Sequence, residues 1–143
     1  MRIWIDLANS PHVPFFSALI PEFVARGNQV EITARDFAQT VELATNAGMM
    51  PHVIGGHGGG KLTGKAGNLV GRAAALRKWA RDRGFDLAVS HNSYAQIAAA
   101  AKASSAAIVL TTDKDAVRFA VCDLSNLPIA AVPLSATVEP MRS

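Results

Sequence analysis

Short apolar runs alternate with segments of helical period along this chain, and that alternation decides what it can fold into. Residues 3–7 are apolar up to Asp6, residues 29–34 alternate like a strand, and residues 51–54, 86–90 and 106–111 form further short runs. Between them, apolar residues recur at helical spacing. Phe16, Ile20 and Phe23 are followed by a stop at Gly27, and Phe37, Val41 and Ala44 by one at Gly48. Leu69, Ala73, Leu76 and Ala80 form a third such stripe, ended by Gly84, and Ile97 with Ala101 mark a fourth. Pro14 suits a first helical turn. The pairs Asp36/Gln39, Ser93/Gln96 and Thr112/Asp115 have capping-box spacing. Residues 129–134 offer a sixth strand. Strict strand–helix alternation with near-continuous apolar strands predicts an α/β fold: a three-layer, Rossmann-like, doubly wound parallel sheet of five or six strands. The expected strand order is 3-2-1-4-5, with the first strand central.

A chain of 143 residues suffices for one such domain, here expected to span residues 1–143, with 105–143 as a divergent closing segment. Half of the residues are hydrophobic, which argues against disorder. Cys122 is the single cysteine, so no intramolecular disulfide forms and a reducing, cytoplasmic compartment is expected. Arg2 and Asp6 interrupt the N-terminal apolar run before a signal-peptide core develops. The apolar run at 97–110 is broken by Lys102 and is shorter than the ~20 residues a spanning helix needs.

The formal charge of +3 is modest but unevenly spread. Lys61, Lys65, Arg72, Arg77, Lys78, Arg81 and Arg83 crowd a stretch in which Asp82 is the one acid. A solvated helix face explains it, as does a surface for phosphates or, peripherally, for an anionic membrane. Trp79 is the one aromatic residue in this stretch, too little for a base-stacking platform, which argues against nucleic acid.

Three loops carry the chemistry, each after an expected strand: Asn9-Ser10-Pro11-His12, Gly55-Gly56-His57-Gly58-Gly59-Gly60 and Ser90-His91-Asn92-Ser93. In a parallel sheet they emerge on one edge, where ligands of such folds bind. In the first loop, His12 has the pKa range of a general base acting on a hydroxyl, and Asp6 is its candidate orienting acid. Asn9 and Ser10 precede a helix N-terminus, a setting that favours anions. In the second, Gly56, His57, Gly58 and Gly59 allow close backbone approach to a ligand. In the third, His91 and Asn92 are candidate ligand contacts, while Ser93 is read as a helix cap. Residues 59–66 miss a Walker A motif because Ala66 stands where Ser or Thr would hold magnesium, so a nucleoside triphosphatase is not expected. No two histidines have the helical spacing of a zinc pair, and His52, within a strand, is read as structural. Neither metal nor cofactor is expected.

These same segments carry a resemblance. Residues 1–16 (MRIWIDLANSPHVPFF), 33–40 (TARDFAQT), 54–59 (IGGHGG) and 90–96 (SHNSYAQ) are similar to a prokaryotic family of unknown function held to be glycosyltransferases of the two-Rossmann, GT-B type, related to nucleotide-sugar 2-epimerases. The similarity covers roughly residues 1–104. Residues 110–118 and 127–134 resemble instead the closing segment of tetraacyldisaccharide 4′-kinases, without that enzyme's phosphate loop. The resemblance implies the N-terminal, acceptor-side half of a GT-B architecture, with a sugar or nucleotide sugar as ligand. Catalysis would then require a second Rossmann domain or a partner chain supplying it. Two other readings remain open. One is a non-catalytic binding or interaction module. The other is a metal-dependent nuclease that gathers Asp6, Asn9, Asp113 and Asp115 around magnesium.

Overall fold

The structure is a computed structural model that describes residues 1–56, 62–91, 93–103, 109–112 and 129–132, with backbone alone for 62–66, 101–103 and the last two stretches. The described residues fall into two compact units, residues 1–105 and 106–143.

In the first unit, β1 (Arg2–Leu7), β2 (Gln29–Ala34), β3 (His52–Val53) and β4 (Leu87–Ser90) form one parallel sheet ordered β3-β2-β1-β4. Helices α1 (His12–Ala25), α2 (Thr40–Asn46), α3 (Leu62–Ala80) and α4 (Tyr94–Ala103) alternate with these strands. The expected order of the first four strands is met, with β1 between β2 and β4. The number of strands is not. The sheet has four rather than five or six, because β5 (Val109–Thr112) and β6 (Ile129–Val132) pair with each other, in parallel, in the second unit. The fold is α/β and Rossmann-like at this coarser level.

Period-two alternation along β1 sorts the core into two layers. Ile3, Ile5 and Leu7 point to one face, where Val13 and Phe16 of α1 and Ala44 of α2 close over them. Trp4 points to the other and packs on Leu76 and Ala80 of α3 and Ala95 and Ala99 of α4. Asp6, at the next even position, therefore faces α3 and α4. This is the fact on which the site turns.

Three local expectations need correcting. Helix α2 starts at Thr40, not near Asp36, and has no side-chain cap. Arg35 N–H donates to Leu7 O and Asp36 N–H to Gly55 O, so sheet-like pairing holds these residues out of a helix. Ala38, at φ 51°, then turns the chain into it. In α3, Leu69 is 47% exposed while Arg72 is 6% exposed, so the buried stripe is Arg72, Leu76 and Ala80 rather than one that begins at Leu69. The basic stretch is accordingly not a uniform surface: Arg72 belongs to the interior, while Arg77, Lys78 and Arg81 are exposed. In α4, Ser93 Oγ accepts from Gln96 N–H as expected. Gln96 does not reach back to close the box but donates from Nε2 to the main-chain oxygen of Trp4.

Candidate functional site

The order β3-β2-β1-β4 puts the topological switch point between β1 and β4, where connections diverge to opposite sides and a crevice opens at the carboxyl ends. His12 follows β1 and His91 follows β4. Their rings meet there, centroids 5.3 Å apart and edge to face. Phe15, one turn along α1 and 52% exposed, lies 5.7 Å from the His91 ring at a shallow angle. The first and third loops are thus brought together. His57, Gly58, Gly59 and Asn92 lie outside the described residues, as do Asp113 and Asp115.

His12 is buried. The Ala8 N–H donates to its Nδ1 at 3.1 Å, which places the proton of the neutral ring on Nε2. Its pKa is lowered from 6.5, first by burial and then by neighbouring His91, with Asp6 opposing the shift. His12 is therefore an uncharged imidazole whose remaining polar atom is a donor. Asp6 acts on it through its charge and its main chain, because its carboxylate is engaged elsewhere.

That carboxylate is fully buried and is held by three side chains. Arg72 grips it in a fork, with Nη2 to Oδ1 at 2.7 Å and Nη1 to Oδ2 at 3.0 Å. Thr33 Oγ1 donates to Oδ1 at 2.7 Å and itself receives the Trp4 Nε1–H at 2.8 Å. Ser93 Oγ donates to Oδ2 in a short hydrogen bond. A bidentate guanidinium with every oxygen engaged is the arrangement that makes a buried charge tolerable. It also argues against Asp6 as a magnesium ligand, since the positive partner is already present. Among the described residues, no three of His, Cys, Asp and Glu are grouped to hold a metal ion.

Arg72 does more than neutralise Asp6. Its Nε donates to Ile54 O at 2.9 Å, so the strand-β3 exit is tied to the centre of the fold. Gly55 lies against this side chain at φ +83°, and an added Cβ would fall 2.9 Å from Arg72 Cδ. Glycine is required here twice, by backbone conformation and by space. Gly56 O accepts from Asn68 Nδ2 at 3.3 Å and from Arg35 Nε at 3.4 Å. The root of the glycine loop is thereby fixed to α3 and to the end of β2.

The remaining first-loop residues have mainly structural tasks. Asn9 O and Ser10 O accept the His12 and Val13 N–H groups at 3.0 and 3.1 Å, and Pro14 has no N–H. The start of α1 thus has its early donors already satisfied, which removes the amide cradle that the sequence led one to expect there. Ser10 Oγ lies 3.5 Å from Thr40 Oγ1, joining this loop to α2. His52 is exposed, with its ring 5.2 Å from that of Trp79.

Arg35 and Phe15 were not among the candidates read from the sequence, and Arg72 was expected in the basic stretch rather than as the buried partner of Asp6. A buried acid on β1 demanded a cationic partner, and Arg72 has the i, i+4, i+8 spacing with Leu76 and Ala80 that marks an inward helix face. Arg35 stands directly after β2, on the same edge as the three loops, and that position was its signal.

A Rossmann-like α/β unit with a polar cluster at its switch point defines the general class. The chain belongs to the family described as "Protein of unknown function (DUF354)", which matches residues 1–118. The match runs past residue 104, the expected limit. The chain is also similar to an uncharacterized protein of Methanocaldococcus jannaschii, 38% identical over 58 residues. That segment is 41% of this chain and 17% of the relative, so the chain spans only a small part of its length. No solved structure matches.

Proposed function

We propose that this chain is the acceptor-side Rossmann-like domain of a glycosyltransferase-like protein, and that it binds a sugar or nucleotide-sugar ligand in the crevice between β1 and β4. The carrying observation is the cluster of His12, His91 and Phe15 at the switch point. A neutral His12 presents a hydrogen-bond donor without demanding a counter-ion, as a hydroxyl-rich ligand requires. Exposed His91 stands at the mouth, where its ring nitrogens can exchange hydrogen bonds with a hydroxyl. Phe15 adds a flat apolar surface beside it, suited to the C–H face of a sugar ring.

In this reading His12 positions a hydroxyl, and His91 is the better placed base. A donor held by a second domain or a partner chain would complete transfer, because productive geometry between two reactants can supply ~7–11 kcal/mol of the barrier. The test is a calorimetric titration of the chain with free sugars and nucleotide sugars, repeated with His91→Ala and Phe15→Ala. Binding weakened by about ten-fold or more in each variant is expected. Equal affinity in wild type and variants, or no binding across the panel, would overturn the reading.

A further inference from the structure

We infer that Arg35 forms a second, cationic subsite on the same sheet edge, one that receives the oxyanion, phosphate or carboxylate, of the ligand. This deepens the reading above and rests on it for the rest of the ligand. It does not rest on it for the anion.

The other arginines withdrawn from solvent on the α3/α4 side of the sheet, half-buried Arg2 and Arg83 and buried Arg72, show what Arg35 lacks. Arg2 and Arg83 share Glu31, at 2.6 and 3.9 Å, and Arg72 holds Asp6. Arg35 is half-buried like Arg2 and Arg83, yet forms no ion pair among the described residues. Its side-chain hydrogen bond is the long one from Nε to Gly56 O. Both Nη nitrogens, the prongs that grip a phosphate or carboxylate in parallel, are engaged by no described residue. The Phe37 ring lies under the guanidinium at 4.7 Å and fixes its plane.

The surroundings make this charge costly while it has no partner. Burial and the nearby Arg72 guanidinium both disfavour the charged form and push its pKa down. A cation held in such a place by a stacked ring and a carbonyl, with its fork engaged by no described residue, is preorganised for an anion. Its position fits a ligand that reaches across the edge. Arg35 follows β2 and contacts Gly56 after β3, while His12 and His91 flank the other side of β1. The two subsites thus divide a ligand into a charged end and a hydroxylated end.

The experiment is thermal unfolding of the full chain with and without inorganic pyrophosphate, inorganic phosphate and glucuronate, for wild type, Arg35→Gln and Arg35→Lys. At least one anion is expected to raise the wild-type Tm, with an effect that shrinks as salt rises. Whether pyrophosphate or glucuronate acts the more strongly identifies the source of the oxyanion. Arg35→Gln should weaken binding by about ten-fold or more, and Arg35→Lys should recover part of it, since charge returns without the fork. The ligand-free Arg35→Gln chain should be as stable as wild type or more so, because a half-buried charge with no ion pair among the described residues has been removed. Anion binding that survives Arg35→Gln would overturn the inference, as would a ligand-free variant that loses stability, which would mark Arg35 as a structural residue. Titration with a neutral sugar separates the two readings. Anion binding lost in Arg35→Gln while no neutral sugar binds sinks the sugar site and leaves this inference standing. Neutral sugar bound through His91 while Arg35→Gln changes nothing sinks this inference alone.

Discussion

The two faces of the sheet are built on opposite plans. The α1/α2 face is mainly hydrocarbon: Ile3, Ile5, Leu7, Val13, Phe16, Ile32 and Ala34 pack together, and the buried polar residues of its helices, His12 and Thr40, stand at the first position of each. Each fully buried large side chain there contributes roughly 1.5–3 kcal/mol. The α3/α4 face is apolar only around Trp4, Leu76, Ala80, Ala95 and Ala99. Towards the carboxyl edge it becomes polar, with Asp6, Arg72, Ser93 and Thr33 buried together. One face supplies non-directional cohesion. The other supplies directional bonds that fix where the exits of β1 and β3 and the start of α4 stand relative to each other. Those are the segments that frame the candidate site.

The contrast is most sharply broken by substitutions at its two centres. Phe16→Ala on the apolar face should cost about 3–5 kcal/mol through lost burial and a cavity. Arg72→Met should cost a similar amount, about 3–5 kcal/mol, for another reason: it leaves the Asp6 carboxylate buried without its counter-charge. The two mechanisms part when a second change is added. Asp6→Asn introduced with Arg72→Met should restore much of the lost stability in denaturant unfolding, because no isolated charge remains. It should do nothing for Phe16→Ala. Failure of that rescue would mean that Arg72 acts chiefly through Ile54 and Gly55 rather than through charge.

A smaller effect tests the link from the polar face to the glycine loop. Gly55→Ala forces an L-residue to φ +83° and places its Cβ against an Arg72 side chain held at both ends. The expected cost is about 1–3 kcal/mol by chemical denaturation. Gly27→Ala, which shares the positive φ but meets nothing within 4 Å, serves as the control for backbone strain alone. Similar losses at both positions would deny the contact any role.

Much of this was legible in the sequence, and what was not has identifiable causes. Parallel strands and their order follow from the apolar runs and the intervening helices, both local signals. The meeting of His12 with His91 follows from strand direction alone, since β1 and β4 are parallel. The assignment of Asp6 to His12 failed on a signal that was available: Asp6 shares its side of β1 with Trp4, whereas His12 opens a helix on the other face. The start of α2 was illegible, because the bonds from Arg35 and Asp36 to Leu7 and Gly55 join segments remote in the chain. So was the pairing of β5 with β6, in which apolar runs alone do not name the partner.

The smallest expected effect concerns protons. His12 lies where the polar edge meets the apolar face, and its folded pKa is lowered from 6.5 by burial and by His91. Where the folded value is below the unfolded one, the unfolded chain binds more protons, so stability rises with pH through that interval. The stabilising contribution is complete above about pH 6.5 and declines as pH falls through and below that value. Protonation has a structural consequence too, because Nδ1 can no longer accept the Ala8 N–H when it carries a proton itself. His12→Asn keeps a polar side chain at the helix start and removes the titration. Its denaturation midpoint, followed from pH 7.5 down to about pH 5, should therefore fall less steeply than that of the wild type. His91→Asn should soften the same slope by a lesser amount, since it removes only the second cause of the shift. Parallel slopes for wild type and His12→Asn would show that His12 titrates alike in the folded and unfolded chains. The neutral imidazole would then lose its place in the proposed site.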